Sequence, residues 1–472
     1  MTTRPPPQLS PTTTRLLSLL TNCSSASHIP QIQTQLILLN RHSDTAVASR
    51  FIAACQSLRR LDIAHRHFLT QIPKPHVFIC NSLIRAFSHT HTPQVPFSIY
   101  THMHKSSILP NNFTFPFLLK SIADSRDFIN GQCLHTHVVK LGHLYDIYVQ
   151  NSLLNLYASS SGRMELCRKV FDEMPQRDVV SWTVLIMGYR NAGNYDDALI
   201  AFEQMQFAGV VPNHVTMVNA LAACANFGAL EMGVWIHDFI RRSGWELDVI
   251  LGTSLIDMYG KCGRIEEGLA VFNSMKEKNT FSWNALIKGL AVAKYGKETV
   301  EWFERMEQEG IRIDEVTLVS VLSACSHSGL VDMGRQIFRS LSDGKYGFLP
   351  GVKHYACMID LLARSGCLED ALKCLREMPF EPTITIWGSL LGGAKTHGNL
   401  ELSEFAAWKL VELDPGNSGY YVLLSNFYAE MGRWDDVEKV RGMMKQRDLK
   451  KDLGCSSVEF ERPDKVSQLL AR

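Results

Sequence analysis

Histidine, cysteine and carboxylate side chains supply most enzymatic and metal chemistry, and this chain has 17 histidines and 12 cysteines. A zinc deaminase, for example, needs His-x-Glu and Pro-Cys-x-x-Cys motifs to hold the metal and to activate a water. No histidine is followed two residues later by glutamate, and no two cysteines lie three residues apart. The His-Glu-x-x-His, Gly-x-Gly-x-x-Gly and Walker A patterns are also missing from the sequence. We therefore predict no catalytic residue, no metal ligand and no cofactor, and a protein that is not an enzyme.

Two histidine pairs, His65 with His67 and His135 with His137, are the strongest remaining candidates for metal binding. Residues at i and i+2 do not share a helix face, which disfavours a common metal ion. We interpret the cysteines as small buried thiols in a reducing compartment. The carboxylates are spread over the predicted second helices and indicate a solvated face, as at Glu301, Glu304 and Glu307.

Hydrogen-bonding side chains in apolar surroundings are the other chemical feature of the sequence. Thr183 and Asn284 each follow a tryptophan and precede an apolar residue. An amide or a hydroxyl offers directional donors and acceptors, as recognition of a polymer requires. Helix capping explains polar residues at the boundaries between elements, but it does not explain a polar residue within such an apolar stretch.

The elements that position these residues form a tandem repeat. Trp182 recurs as Trp283 and Gly209 as Gly310, in each case 101 residues later. So long a lag is not helical periodicity, and it is typical of an array of short structural units. The lag divides into repeats of 35, 35 and 31 residues, at 179–213, 214–248 and 249–279.

Each repeat has the pattern of two short amphipathic helices. In repeat 179–213, Ala198, Leu199, Phe202 and Met205 follow the spacing of one helix face. A helix pair of this size buries its apolar face only against neighbouring pairs, so the pattern predicts one elongated, all-α array. The net charge of +1 gives no bulk basic signal for nucleic acid. No apolar run approaches the ~18 residues of a membrane span.

The repeat lengths and motifs resemble the pentatricopeptide repeat family of land plants, and the long, long, short alternation resembles its PLS subclass. The matching motifs include Val-Val-Ser-Trp-Thr at 179–183 and Ser-Leu-Ile-Asp-Met-Tyr-Gly-Lys-Cys-Gly at 254–263. The resemblance implies a right-handed α-solenoid of tandem helix-turn-helix repeats. It extends from about Thr45 to Phe460. Tetratricopeptide repeats have a uniform length of ~34 residues and do not give this alternation.

The domain organisation follows from the repeat pattern. Residues 1–14 are predicted as a transit or leader segment, because residues 1–43 contain no Asp or Glu; a disordered polar leader is the alternative. Residues 15–44 are predicted as a degenerate repeat. Residues 384–417 and 418–450 resemble the E1 and E2 motifs of the family. Residues 451–472 are predicted as a truncated extension without a deaminase domain. The array covers 45–383, with repeats 45–76, 77–111, 112–146, 147–178, 179–213, 214–248, 249–279, 280–314, 315–351 and 352–383.

By resemblance, the fifth and the last residue of a repeat recognise one RNA base, and the second residue lies between bases. The predicted base-recognising pairs are Asn81 with Asn111, Asn151 with Asp178, Thr183 with Asn213, Thr253 with Asn279, and Asn284 with Asp314. The second residues of these repeats are Phe78, Tyr148, Val180, Ile250 and Phe281. Capping remains the alternative for the pairs, and packing between repeats the alternative for the second residues.

Some repeats depart from this pattern. The L-type repeats 112–146, 214–248 and 315–351 have no polar fifth residue, and we expect little base discrimination there. The family's code, applied to the pairs in order, predicts the RNA target Y-N-U-A-N-A-U-N-N from Val77 to Thr383.

The resemblance implies a site-recognition factor for C-to-U RNA editing in an organelle, with the mitochondrion preferred to the chloroplast. Its partners would be single-stranded organellar RNA, a deaminase-domain protein acting in trans and other editing factors. The alternatives are an organellar RNA-binding factor for transcript stability, splicing or translation, and a helical scaffold for proteins.

Overall fold

The computed structural model describes residues 10–449 of the 472-residue chain, apart from residues 73, 91 and 160. Over these residues the chain forms α-helices and one 3₁₀ turn, Ser161–Arg163, with no β-strand. Residues 1–9 of the predicted leader and the predicted extension at 451–472 lie outside the described residues.

The helices follow one another in pairs along the chain. They are α1 (Pro11–Thr21), α2 (His28–Leu38), α3 (Thr45–Ser57), α4 (Leu61–Gln71), α5 (Val77–Phe87), α6 (Gln94–Lys105), α7 (Phe115–Ser125), α8 (Phe128–Lys140), α9 (Ile147–Ala158), α10 (Met164–Asp172), α11 (Val179–Ala192), α12 (Tyr195–Phe207), α13 (His214–Phe227), α14 (Leu230–Arg242), α15 (Val249–Lys261), α16 (Ile265–Ser274), α17 (Thr280–Val292), α18 (Gly296–Gln308), α19 (Glu315–Ser328), α20 (Val331–Ser342), α21 (Val352–Arg364), α22 (Leu368–Glu377), α23 (Ile384–Thr396), α24 (Leu400–Leu413), α25 (Ser418–Glu430) and α26 (Trp434–Gln446).

The chain divides into two compact units, Met1–Met258 and Tyr259–Arg472, which we call the N-terminal and C-terminal halves. Within the N-terminal half, α11 packs against its partner α12 and against α9 and α13, the first helices of the adjacent pairs. Within the C-terminal half, α19 packs in the same way against α20, α17 and α21. In both halves, these helix pairs therefore cover their apolar faces with their neighbours in the sequence. This stacking confirms the prediction of an all-α fold built from tandem helix pairs.

The core repeats with the sequence. Trp182 packs edge-on against Phe171 with ring centroids 4.6 Å apart. Their counterparts 101 residues later, Trp283 and Phe272, pack in the same way at 4.9 Å. All four side chains are buried. The sequence lag thus corresponds to a recurring contact between the second helix of one pair and the first helix of the next.

Two kinds of glycine shape the pairs. Gly209 and Gly310 follow the ends of α12 and α18 with φ of 69°, a left-handed conformation that glycine adopts without strain. Gly393 instead permits close packing, because a Cβ there would lie 2.6 Å from the backbone carbonyl carbon of Ala363. Helix α23 therefore approaches α21 more closely than a side chain would allow.

The first helix begins at Pro11, four residues before the boundary that we predicted for the leader. Ser10 caps it by accepting a hydrogen bond from the Thr13 N–H at 3.3 Å, and proline is favoured at the first helical position. Helices α1 and α2 pack together as a pair. None of the described helices is both long enough and apolar enough to span a membrane.

Candidate nucleic-acid interface

The fifth residue of a repeat meets its last residue in three of the five predicted pairs. Asn284 Nδ2 donates to both carboxylate oxygens of Asp314, at 3.0 and 3.1 Å. Asn81 Nδ2 donates to Asn111 Oδ1 at 2.9 Å. The fifth residue lies on the first helix and the last residue just before the next pair. The fold thus brings together side chains that are 30 residues apart in these two repeats.

The third direct pair belongs to a short repeat and is more loosely held. Asn151 Nδ2 lies 3.2 and 3.4 Å from the two carboxylate oxygens of Asp178. Asn151 Oδ1 is buried and has no hydrogen-bond partner among the described residues. The amide is therefore fixed from one side only.

The two threonine pairs are arranged differently. The hydroxyl oxygens of Thr183 and Thr216 lie 2.6 Å apart, and Thr216 Oγ1 donates to Asn213 Oδ1 at 2.9 Å. Thr183 is thus linked to Asn213 through Thr216. Thr253 belongs to the N-terminal half and Asn279 to the C-terminal half. The Thr253 hydroxyl is buried and makes no hydrogen bond among the described residues.

The last residues of these repeats also cap helices. Asp314 Oδ1 accepts from the Thr317 N–H at 2.9 Å, and Asp178 Oδ1 accepts from the Ser181 N–H at 2.8 Å. We favoured base recognition over capping, but the structure shows that capping occurs in all five pairs. The N-caps are Asp178, Asn213, Asn279 and Asp314, while Asn111 accepts from the Phe113 N–H. Recognition and capping are compatible, because the cap uses only one of the two terminal atoms of the side chain.

The cap determines which atom of the last residue stays available. A backbone N–H must face an oxygen, so Asn111 directs Oδ1 to the cap and keeps its Nδ2 donor outside it. Asp314 likewise uses Oδ1 for the cap, and its remaining atom is the acceptor Oδ2, which also accepts from Asn284 Nδ2 at 3.1 Å. An Asn and an Asp at this position therefore offer opposite hydrogen-bonding groups on otherwise similar geometry.

The second residues of the five repeats are exposed. Their exposed fractions lie between 45% for Val180 and 72% for Tyr148. The alternative that they form the core between repeats is therefore wrong. A second and a fifth residue are three positions apart on one helix, so they lie on the same face. Each repeat thus presents an apolar side chain beside its polar group.

The L-type repeats have the same exposed second residue, which our sequence analysis missed. Phe113, Val215 and Val316 are 67%, 56% and 53% exposed. We had considered the second residue only in repeats with a polar fifth residue. Comparing the second position of every long repeat would have identified all three.

The last residues of two L-type repeats have different partners. Asp146 Oδ2 accepts from Asn112 Nδ2 at 2.9 Å, and Asp248 Oδ2 lies 3.4 Å from His214 Nε2. In both cases the partner is the first residue of the repeat and not the fifth. No polar pair with the fifth position forms in these two repeats, because that position is Pro116 or Val218.

The two histidine pairs have ordinary structural surroundings. His67 is buried, and burial lowers its pKa to about 4. His135 Nδ1 lies 2.9 Å from the Tyr157 hydroxyl, and His137 Nδ1 lies 2.8 Å from that of Tyr100. Across the described ranges, His, Cys, Asp and Glu form no group of three or more that could hold a metal ion.

The carboxylates of α18 only partly match the predicted solvated face. Glu301 and Glu304 are exposed. Glu307 is half-buried and accepts a hydrogen bond from Lys345 Nζ at 2.8 Å, so it belongs to an ion pair with the loop after α20.

Comparison with known proteins identifies the family. A pentatricopeptide repeat-containing protein of Arabidopsis thaliana is 38% identical over 456 residues, which cover 94% of this chain and 98% of that protein. The chain belongs to the pentatricopeptide repeat family. Two further Arabidopsis relatives, one named chloroplastic and one named mitochondrial, are 34% and 32% identical, and each alignment covers 94% of this chain. These alignments cover 78% and 85% of the two relatives.

Models of the family's parts match this pentatricopeptide repeat protein along its length. The PPR repeat family model matches 177–226 and 278–327, the PPR repeat model matches 151–179, 253–280 and 354–381, and the pentatricopeptide repeat domain model matches 73–125. The E motif model matches 397–459, so the match begins after α23. The chain is therefore a pentatricopeptide repeat protein with an E motif, and its repeat lengths fit the PLS subclass. It is a helical repeat protein.

A solved structure shares the fold. The structure of the pentatricopeptide repeat protein PPR10 in complex with an 18-nt psaJ RNA element is 15% identical to this pentatricopeptide repeat protein, with a TM-score of 0.70. The superposition covers 92% of this chain and 64% of that one. Our chain thus spans less than two thirds of that structure.

The E-motif helices of this pentatricopeptide repeat protein are joined by a polar network. The Tyr428 hydroxyl donates to Glu404 Oε1 at 2.6 Å, and Arg433 Nη1 donates to Glu404 Oε2 at 2.8 Å. Trp408 Nε1 donates to the Tyr428 hydroxyl at 3.0 Å. The hydrogen bond from Tyr428 lowers the pKa of Glu404, and burial raises the pKa of Tyr428 to about 12. The network fixes α24, α25 and the start of α26 relative to one another.

Proposed function

We propose that this protein binds single-stranded organellar RNA in a sequence-specific manner. The observation that carries the proposal is the recurrence of a hydrogen-bonded polar pair beside an exposed apolar side chain. Helical RNA-binding repeats use two or three side chains to recognise each base on its Watson–Crick edge. Apolar and aromatic side chains supply stacking surfaces that are tolerant of sequence. The solved PPR10 structure, which contains an RNA element, adds support from the family.

The polar pairs account for the proposed specificity. Leaving a buried donor or acceptor unpaired against the wrong base costs about 1–3 kcal/mol. The five pairs specify the target core Y-N-U-A-N-A-U, bound 5′ to 3′ along the chain. The net charge of +1 gives no bulk attraction for the phosphates of the RNA.

Within that function, we propose that the protein is a site-recognition factor for C-to-U editing and recruits a deaminase in trans. The E motif supports this role. The Glu404 network joins its helices. Five of its apolar side chains are exposed to solvent, namely Leu400, Phe405, Leu413, Leu423 and Trp434. We propose that these side chains contact the recruited deaminase. The relatives named chloroplastic and mitochondrial support an organellar location, and the preference for the mitochondrion remains our proposal.

RNA binding is tested by a gel shift of the purified protein with a single-stranded RNA that carries the core Y-N-U-A-N-A-U. The control RNA exchanges the adenines and uracils. We expect affinity for the control to be lower by about tenfold or more. Equal, salt-sensitive binding to both RNAs would contradict the assignment of the pairs. Binding to neither RNA would favour a scaffold for proteins.

The editing role is tested by sequencing organellar transcripts from a null line complemented with the wild-type gene or with Trp434→Ala. We expect one or more sites to be edited only with the wild-type gene, because Trp434 is 64% exposed and its loss removes contact area without removing core packing. Unchanged editing at every site in the null line would contradict the editing role. A defect in transcript abundance, splicing or translation would then indicate the alternative organellar function.

A further inference from the structure

Three buried threonines occupy the same place in the array. Thr114, Thr216 and Thr317 are each the third residue of an L-type repeat, directly after a repeat with a polar pair, and each is 0% exposed. Burying a hydroxyl is unfavourable unless it is hydrogen-bonded. In all three cases its partners are the two residues of the preceding pair.

The contacts of Thr317 are the clearest. Its Oγ1 donates to Asn284 Oδ1 at 2.6 Å and lies 3.0 Å from Asp314 Oδ1. Asn284 Nδ2 faces the Asp314 carboxylate, and rotating the amide would place oxygen against oxygen. Thr317 therefore holds the amide oxygen while Asp314 holds one amide N–H. The Asn284 amide, which is 7% exposed, is thereby held in one orientation.

The same arrangement recurs without the carboxylate. Thr114 Oγ1 donates to Asn81 Oδ1 at 2.8 Å and lies 3.2 Å from Asn111 Oδ1. Because Asn111 is neutral, no charge opposes rotation of the Asn81 amide there, and the threonine is the donor that faces the Asn81 oxygen. Thr216 contacts both residues of its own preceding pair in a different way. Its Oγ1 donates to Asn213 Oδ1 at 2.9 Å and lies 2.6 Å from the Thr183 hydroxyl oxygen, while Thr183 Oγ1 also donates to the Val179 backbone oxygen at 2.6 Å.

Serines at the third position of two other repeats provide a comparison. The hydroxyls of Ser181 and Ser282 donate to the backbone oxygens of Asp178 and Asn279, both at 2.9 Å. In the pair before Ser181, Asn151 Oδ1 is left without a partner among the described residues. A hydroxyl at this position is therefore insufficient, and its direction matters. The γ-methyl of threonine restricts χ1 and thereby the direction of the hydroxyl.

We infer that Thr114, Thr216 and Thr317 are positioning residues for base specificity. Each acts through the polar pair of the preceding repeat, so one nucleotide is recognised by residues from two repeats. The inference rests on the proposed RNA-binding function. It extends that function because the L-type repeats, which have apolar fifth residues, contribute to the specificity of their neighbours.

The test compares Thr317→Val with Thr299→Val in the full-length protein. Valine removes the hydroxyl at nearly constant shape. Thr299 is a matched control, since it is 0% exposed in the repeat that contains Asn284 and its hydroxyl donates to the Tyr295 backbone oxygen at 2.6 Å. The probes are two pairs of single-stranded RNAs with the proposed core. One pair differs only in U or A at the seventh nucleotide, and the other pair differs only in C or A at the first nucleotide. Affinity for each RNA and the melting temperature are both measured.

We expect the wild type to prefer U over A at the seventh nucleotide by about tenfold or more. Thr317→Val should reduce this preference by about threefold to tenfold, the value of one hydrogen bond, and leave the first nucleotide unaffected. Thr114→Val should reduce the preference at the first nucleotide and leave the preference at the seventh nucleotide unaffected. Thr299→Val should lower only the melting temperature. In an Asn284→Ala background, Thr317→Val should cause no further loss of preference.

A wild-type base preference in Thr317→Val would overturn the inference. An equal loss of preference in Thr299→Val would also overturn it, as would a loss of preference at both nucleotides in Thr317→Val. A wild-type protein that binds RNA without preference, or does not bind it, would overturn the proposed function and this inference with it. The wild-type measurements therefore separate the two failures.

Discussion

Asn284 donates its amide N–H to both carboxylate oxygens of Asp314, at 3.0 and 3.1 Å, while Asp314 caps helix α19. A single aspartate thus caps α19 and also forms the polar pair with Asn284, which lies on α17. Because the cap fixes one oxygen, the other has a defined direction. The proposed base recognition depends on this geometry.

Exchanging the available atom of Asp314 should change the base preference. In Asp314→Asn the cap retains an oxygen, and the remaining atom becomes an N–H donor. Uracil presents a donor at N3 and cytosine an acceptor, so the preference for U over C at the seventh nucleotide should fall by roughly 1–3 kcal/mol. Competition binding with the two RNAs measures it. Asp248→Asn is the matched control, since Asp248 faces His214 and belongs to an L-type repeat; the same loss in that variant would refute the prediction.

Removing an exposed aromatic second residue should weaken RNA binding without weakening the fold. Phe281 is 70% exposed, and Phe281→Ala should lower affinity by about 1–3 kcal/mol through lost stacking. Phe207 is 72% exposed at the end of a second helix, so Phe207→Ala should have no effect on affinity. Fluorescence anisotropy with a labelled RNA distinguishes the two variants. Equal affinities would show that the second position does not contact RNA.

The L-type repeats should contribute affinity but no base preference of their own. Phe113→Ala should weaken binding to every RNA by a similar factor, because Phe113 is exposed beside the apolar Pro116. Leu109→Ala, at an exposed residue outside the second position, serves as its control. Binding is measured with RNAs that vary at the second nucleotide. A change in preference at that nucleotide, or unchanged affinity, would contradict this assignment.

Acid should destabilise the N-terminal half through His67. Burial lowers its pKa to about 4, whereas an unfolded histidine has a pKa of about 6.5. Between these values the unfolded chain binds more protons than the folded chain, so stability should fall as the pH decreases from about 6.5 to about 4. His67→Leu should reduce this slope in melting temperatures measured by circular dichroism. His28→Leu changes an exposed histidine and serves as the control, which should retain the wild-type slope. An unchanged slope in His67→Leu would refute the attribution of the acid destabilisation to His67.

Sequence periodicity was sufficient to predict the helix pairs and their core. Trp182 and Trp283 recur at one lag because they pack in the same way. Gly209 and Gly310 recur at the same lag because both adopt a left-handed backbone conformation. The start of α1 at Pro11 was not among the predictions. Ser10 and Pro11 form a local cap, and caps are weaker signals than a repeated apolar face.

The candidate interface was predictable only in part. The pairing of Asn284 with Asp314 followed from the family resemblance, and their hydrogen bond agrees with that pairing. The bridging role of Thr317 could not be predicted, because Thr and Ser at a third position are equivalent in hydrogen-bonding capacity. Their difference depends on hydroxyl direction, which only the packed repeats determine.

Exchanging one polar pair for another tests the central claim most directly. The double variant Asn284→Thr and Asp314→Asn gives repeat 280–314 the pair that repeat 179–213 has as Thr183 and Asn213. Affinities of the wild type and the variant are measured for two RNAs that differ only in U or A at the seventh nucleotide. We expect the wild type to prefer U and the variant to prefer A, each by about tenfold. A variant that still prefers U, or a wild type without preference, would contradict the proposed base recognition.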